Sequence, residues 1–192
     1  DGDQLMSICG NYMKQKGTLK KNTIVATVMS NLGMFLMGER EGIHIEKTKV
    51  GDRYVLENML ENGYNIGGEQ SGHIIFLDEN TTGDGLLSAL HLLQVMTETK
   101  KKLSELASIM EVLPQALVNA KVPNHKKEHF EEYAEIAEAI AEVEAKFAGE
   151  GRVLIRPSGT EPLVRVMIEG KDQQLIESEA QKLAELISSI ML

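Results

Sequence analysis

Arg156-Pro157-Ser158-Gly159-Thr160-Glu161-Pro162 stands between two short apolar runs, Arg152-Val153-Leu154-Ile155 and Leu163-Val164-Arg165-Val166-Met167-Ile168. Both runs are rich in branched residues and bounded by Gly or Pro, which predicts β-strands. The stretch between them is then a tight loop closing a strand pair. Arg156 offers a planar fork of donors to a phosphate or carboxylate. Ser158 and Thr160 add hydroxyls, and Gly159 lets backbone N–H groups turn toward an anion. Chemistry alone leaves two readings open: a phosphate cradle, or a hydrogen-bonded turn of the kind in which Ser and Gly are common.

The surroundings of this loop decide the second half of the fold. Ala116 to Val122 is patterned as a half-buried strand. His125 to Phe147 is predicted as one long acidic helix with Phe130, Ile136, Ile140, Val143 and Phe147 on a single stripe. A final amphipathic helix is expected from Asp172 to Ile190. Strand, helix, strand, strand, helix makes a small α+β domain with a mainly antiparallel sheet and helices on one face.

Upstream the texture differs. Leu5, Met6, Ile8, Cys9, Tyr12 and Met13 recur at helical spacing until Gly17, with Asp3 as the expected N-cap. Strands are predicted at Thr23–Val28, Ile43–Glu46 and His73–Leu77. Helices alternate with them at Leu32–Gly38, from Asp52 to Leu60, from Leu86 to Met96, and at Leu103–Met110. This alternation predicts a three-layer α/β domain with a mixed sheet. The domains are read as 1–113 and 114–192, divided at Leu113-Pro114, where proline disfavours continued helix.

Composition narrows the function. The chain has 192 residues, 42% of them hydrophobic and only 4% aromatic, so aliphatic side chains and ten Met must fill the core. A net charge of -9 argues against a nucleic-acid or anionic-membrane surface. A single cysteine, Cys9, allows no internal disulfide and no cysteine-based metal site. No run is long enough to span a membrane and no secretory leader is seen, so a cytoplasmic location is expected. The chain opens at Asp1 without an initiator Met, as though cut from something longer.

Gly67-Gly68-Glu69-Gln70-Ser71-Gly72-His73 is the second informative stretch. Glycines permit close approach of a ligand to the backbone. A carboxylate such as Glu69 accepts two hydrogen bonds from neighbouring hydroxyls, as a sugar diol would supply. Ser71 adds a donor and acceptor, and His73 can contact a ligand or move a proton. Lys49, just ahead of a predicted helix start at Gly51-Asp52, is a third candidate, because a helix N-terminus already favours anions. His44, His91, His125 and His129 lack metal-ligand spacing. Asp1-Gly2-Asp3 reads as a helix start rather than a metal site.

The two glycine-rich loops, in this order and in two domains of this character, resemble the α-D-phosphohexomutases over essentially the whole chain. Gly68-Glu69-Gln70-Ser71-Gly72-His73 is similar to that family's sugar-binding loop, and Arg156-Pro157-Ser158-Gly159-Thr160-Glu161-Pro162 to its phosphate-binding loop. The resemblance covers the third and fourth of four domains. It implies that Glu69, Ser71 and His73 bind the sugar, Glu69 and Ser71 holding its hydroxyls and His73 sitting near the reacting oxygen. Arg156, Ser158, Gly159 and Thr160 would grip the non-reacting phosphate, with Lys49 and Arg165 as weaker phosphate contacts.

The family's catalytic phosphoserine loop has no counterpart here. Nor does its Mg²⁺ loop, Asp-Gly-Asp-x-Asp-Arg, which Asp1-Gly2-Asp3-Gln4-Leu5-Met6 only begins. No catalytic residue is therefore assigned to this chain beyond a contact or proton-transfer role for His73, and no metal ligand. Mg²⁺ and a glucosamine 1,6-bisphosphate intermediate are implied for the full-length protein only. The loop wording implies interconversion of glucosamine 6-phosphate and glucosamine 1-phosphate. Mannose or glucose phosphates, or a non-catalytic phosphosugar-binding module, are the alternatives. The implied partners are the phosphosugar and the missing N-terminal domains of the same chain, with no nucleic acid and no membrane; a homodimer is left open. The Leu113-Pro114 region would be a hinge.

Overall fold

The computed structural model describes residues 1–192, which form two compact units, Asp1–Val112 and Leu113–Leu192. In the first, α1 (Gly2–Lys16) leads to β1 (Thr23–Thr27), α2 (Leu32–Glu41), β2 (His44–Thr48), α3 (Asp52–Asn62), β3 (Ile66–Gly68), β4 (Ile74–Phe76), α4 (Gly85–Thr99) and α5 (Leu103–Ala107). The sheet order is β2-β1-β3-β4. β1 runs parallel to both β2 and β3, and β4 pairs antiparallel with β3.

Side-chain alternation along the strands explains the layers. Ile24, Ala26, Ile45, Ile66, Ile74 and Phe76 enter one core with Met6 and Cys9 of α1, Met34 and Met37 of α2, and Val95 of α4. The intervening Val25 and Ile75 point the other way and meet Val55 and Met59 of α3. The expected three-layer arrangement with a mixed sheet is thus present. Four methionines of these cores, Met6, Met34, Met37 and Met59, are fully buried, as the shortage of aromatics predicts.

The second unit contains β5 (Gln115–Lys121), α6 (Ala134–Phe147), β6 (Arg152–Pro157), β7 (Leu163–Glu169) and α7 (Gln173–Met191). Its sheet is wholly antiparallel, in the order β5-β7-β6. Ala116 and Ala120 of β5 and Val164, Val166 and Ile168 of β7 pack with Val153 and Ile155 of β6 against α6 and α7. Both helices lie on that one face, as the α+β reading predicts. No helix is long and apolar enough to cross a membrane.

Three local expectations are corrected. The N-cap of α1 is Asp1, not Asp3. Asp1 accepts from the Gln4 N–H and forms a capping box with Gln4. Asp3 is instead buried and accepts from the Asn31 N–H at 2.7 Å. The single helix expected over His125–Phe147 is broken. A short 3-10 segment, Lys127–Glu132, ends at Tyr133, whose extended backbone (φ -84°, ψ 113°) separates it from α6. The apolar stripe survives the break because Phe130 and Ile136 still reach the same core. Finally, α5 stops at Ala107 rather than continuing to Met110.

Candidate functional site

In the first unit the chain steps from β1 outward to β2, then crosses back to place β3 on the other flank of β1. In parallel α/β sheets such a reversal of strand order opens a crevice at the carboxyl ends of the strands, where ligands bind. Two of the stretches singled out in the sequence leave the sheet at that edge. Lys49–Gly51 follows β2, and Glu69–His73 follows β3.

These two loops are tied together. Glu69 Oε1 accepts from the Gly51 N–H at 2.9 Å. Gly51 has φ 129°, a backbone conformation natural to glycine, and this lets its amide face the carboxylate. The Glu69 loop is itself a tight turn. Glu69 N–H donates to His73 O at 3.1 Å, and Gly72 N–H to Glu69 O at 3.0 Å. The start of α1 braces it from behind, with Gly2 N–H donating to Gln70 O at 2.9 Å. A β-carbon on Gly2 would fall 2.1 Å from Glu69 O, so only glycine permits this approach.

The result is a half-buried carboxylate with Oε1 engaged and Oε2 without a protein donor. Ser71 and His73 are exposed beside it, and Lys49 is exposed with no ion pair on the loop that Glu69 contacts. An anionic acceptor, a hydroxyl, an imidazole and an ammonium are therefore presented by two linked loops. Such a set can accept from and donate to vicinal hydroxyls.

In the second unit the Arg156 loop closes the β6–β7 hairpin. The register pairs Arg156 with Arg165 and Pro157 with Val164. Because Ile155, Val164 and Val166 face the helices, Arg156 and Arg165 lie directly opposite each other on the other face. Like charges in that position repel. Arg165 Nη2 donates to Glu161 Oε2 at 2.9 Å, but its Nε is buried without a partner. No carboxylate pairs with Arg156. Burial, and then the neighbouring Arg165 charge, lower the Arg156 pKa below its ordinary value. The one carboxylate beside the two guanidinium groups, that of Glu161, is taken by Arg165 alone, so the pair has spare capacity for an anion.

The loop backbone is pre-shaped. Ser158 is buried; its N–H donates to Leu163 O at 2.9 Å and its Oγ accepts from the Glu161 N–H at 3.2 Å. Ser158 is thus a staple of the turn as well as a candidate donor. Gly159 and Thr160 are exposed at the tip, and their N–H groups meet no protein acceptor. Lys127, to which no role was given on sequence grounds, lies buried under the loop with its ammonium on the Ser158 and Glu161 carbonyl oxygens. Only a Lys126-Lys127 pair before an acidic run hinted at it.

The remaining histidines have ordinary surroundings. His91 stacks on Phe76 and meets Glu79 at 2.6 Å, while His44 pairs with Glu46 and His129 with Glu132. Burial pushes the Cys9 thiol up to about 12, so it stays a neutral, unreactive core group. No three of the His, Cys, Asp and Glu side chains converge as a metal site. Asp1 is engaged as a helix cap and Asp3 points to the Asn31 amide, so the two do not fit a shared magnesium ion.

Comparison with known proteins gives this geometry a family. Residues 1–113 match the model of the phosphoglucomutase/phosphomannomutase alpha/beta/alpha domain III, and residues 117–186 that of the phosphoglucomutase/phosphomannomutase C-terminal domain. The phosphoglucosamine mutase of Ruminiclostridium cellulolyticum is 63% identical over 187 residues, 97% of this chain. That of Acetivibrio thermocellus is 64% identical over the same length. The chain spans 42% of the length of each of these relatives. Among solved structures, Aspergillus fumigatus N-acetylphosphoglucosamine mutase, in complex with GlcNAc-6P and magnesium, has the same fold with a TM-score of 0.79. The match covers 100% of this chain and 44% of that one at 17% identity. With both of its units matched in order, this chain belongs to the phosphoglucomutase/phosphomannomutase family, of which it carries domain III and the C-terminal domain.

Proposed function

We propose that this chain is the phosphosugar-gripping C-terminal part of a phosphoglucosamine mutase, interconverting glucosamine 6-phosphate and glucosamine 1-phosphate. The observation that carries the proposal is the identity of 63–64% with bacterial phosphoglucosamine mutases across 97% of the chain, both loops included. In this reading residues 1–113 form the sugar-binding domain and 114–192 the phosphate-binding domain. Glu69, Ser71 and His73 hold sugar hydroxyls, with Lys49 near the phosphosugar. Arg156, Ser158, Gly159 and Thr160, helped by Arg165, hold the phosphate that is not reacting.

A mutase must bind its substrate in two opposite orientations, so its grips must recognise what both orientations share. A pair of ring hydroxyls and a distal phosphate are such features. The free Glu69 Oε2 suits the first, and the Arg156–Arg165 pair with the outward Gly159 and Thr160 amides suits the second. These residues bind and orient, and in phosphoryl transfer positioning and charge stabilisation supply most of the catalysis. The phosphoryl-carrying serine and the magnesium ligands of the proposed enzyme lie outside this chain, whose own residues do not fit a magnesium ion.

Kinetics of the complete polypeptide on the 6-phosphates of glucosamine, glucose and mannose test the proposal. The highest kcat/KM is expected for glucosamine 6-phosphate, and no turnover for the 192-residue chain alone. Preference for mannose or glucose phosphate overturns the substrate assignment. Turnover by the isolated chain overturns the division of labour.

A further inference from the structure

We propose that Lys127 is a positioning residue of the phosphate loop: its buried ammonium holds the Ser158–Gly159 peptide so that the Gly159 N–H faces the bound phosphate. The inference rests on reading the Arg156 loop as the phosphate grip. Lys127 is 8% exposed. Its Nζ donates to Ser158 O and, at 3.3 Å, to Glu161 O, the two residues that bracket the Gly159–Thr160 tip. No carboxylate neutralises it. An ammonium taken out of water without a counter-charge is costly, so its placement asks for a compensating role.

Peptide geometry supplies that role. The chain has no cis peptide bond. In a planar trans peptide the C=O and the N–H point in opposite directions. Drawing the Ser158 carbonyl inward onto Lys127 therefore turns the Gly159 N–H outward. That N–H has no protein acceptor, and it sits three residues after Arg156 on the same loop. The Glu161 carbonyl is drawn the same way, so one side chain clamps both ends of the tip. The buried positive charge also lies beneath a loop flanked by Arg156 and Arg165, and it adds to the attraction for an anion.

Lys127 is itself held on several sides. Lys126 N–H and Lys127 N–H both donate to Pro123 O, at 2.9 and 3.2 Å. Lys126 Nζ donates to Met191 O at 2.9 Å, and Phe130 anchors the same short segment in the core. The Val122 N–H, just before this segment, donates to Pro162 O at 3.1 Å and fixes the far end of the loop. The ammonium is thus delivered by a rigid support rather than by a free surface stem.

The test uses the complete polypeptide carrying Lys127→Met, Lys127→Arg or Arg156→Ala. It measures kcat and KM for glucosamine 6-phosphate, and the response of isotope-labelled glycine amides to inorganic phosphate. Lys127→Met should raise KM by about 10-fold or more with kcat within about 3-fold of wild type, and should abolish the response of the Gly159 amide. Lys127→Arg, which keeps the charge and donors, should recover part of the KM and the amide response. A general loss of packing would not produce that split or that rescue. A KM for Lys127→Met within about 2-fold of wild type, beside an Arg156→Ala that binds poorly, overturns the role of Lys127 and leaves the site reading intact. An Arg156→Ala that also binds normally overturns the site reading and this inference with it. Should Lys127→Met not fold, Lys127→Gln takes its place: the same rise in KM and loss of the Gly159 response support the role, and wild-type values of both, or a Gly159 amide indifferent to phosphate in the wild type, overturn it.

Discussion

Replacing Gly2 by Ala tests whether the sugar-loop geometry is set by the start of α1. The new β-carbon would lie 2.1 Å from Glu69 O, 3.0 Å from Gln70 O and 3.0 Å from Gly72 N. All three are backbone atoms, so no side chain can swing away. Restoring an ordinary contact with Glu69 O requires a separation of roughly 1 Å, the scale at which overpacking costs about 1–3 kcal/mol. The helix cannot easily give, because Met6 and Cys9 of α1 are locked in the core. The loop is the softer side, since Ser71, Gly72 and His73 are exposed. Its movement would also strain the Gly2 N–H to Gln70 O bond and shift Glu69 away from Gly51. We expect the melting temperature of this unit to fall by at least about 4 °C. A misplacement of this size in a binding loop also predicts a fall in kcat/KM of up to about 100-fold. Calorimetry and steady-state kinetics of the complete polypeptide measure both. Gly85→Ala is the control, because a β-carbon there meets nothing within 4 Å. A Gly2→Ala protein that melts within a degree of wild type and keeps its kcat/KM would refute the reasoning.

Arg156→Ala should weaken phosphosugar binding by about 1.5–3 kcal/mol, the worth of one charge-assisted contact, while relieving its repulsion with Arg165. Binding calorimetry and thermal melting separate the two effects, and unchanged affinity removes Arg156 from the site. Hydrogen bonding to Lys16, and then to Tyr12, holds the Glu98 carboxyl at about 2, below its ordinary 4.5. A depressed carboxylate contributes stability that is complete above the unfolded value and is lost as pH falls through the folded one. The contribution should therefore fade between pH 4.5 and about 2, by a small amount because the pair is exposed. Glu98→Gln should flatten melting temperature against pH in that window, and an identical slope in the variant would contradict the assignment.

Much of the fold is legible in the chain because it follows from local periodicity. The half-buried pattern of β5 and the apolar stripes of α1, α6 and α7 each decide which face is buried before any partner is known, while the apolar run of β1 marks a strand buried on both faces. The errors fall where several local signals compete. Asp1 and Asp3 are both good N-caps, and the choice between them depended on Asn31, which claims the Asp3 carboxylate from 28 residues away. The break at Tyr133 left no Pro or Gly to mark it, because the stripe from Phe130 to Ile136 continues across it.

The sequence by itself determined the chemistry of the two loops. Donors, acceptors and glycines packed into five to seven residues must lie together whatever the fold, so Glu69, Ser71 and His73 form one group and Arg156 to Thr160 another. The tertiary structure decided what each group works against. The β2-β1-β3 strand order carries the Gly51 amide to Glu69 across 18 residues. The hairpin register sets Arg156 opposite Arg165, and the segment after β5 sends Lys127 beneath Ser158 across 31 residues. These are contacts between distant points of the chain. Strand pairing and core packing select them, and no local pattern of residues encodes them.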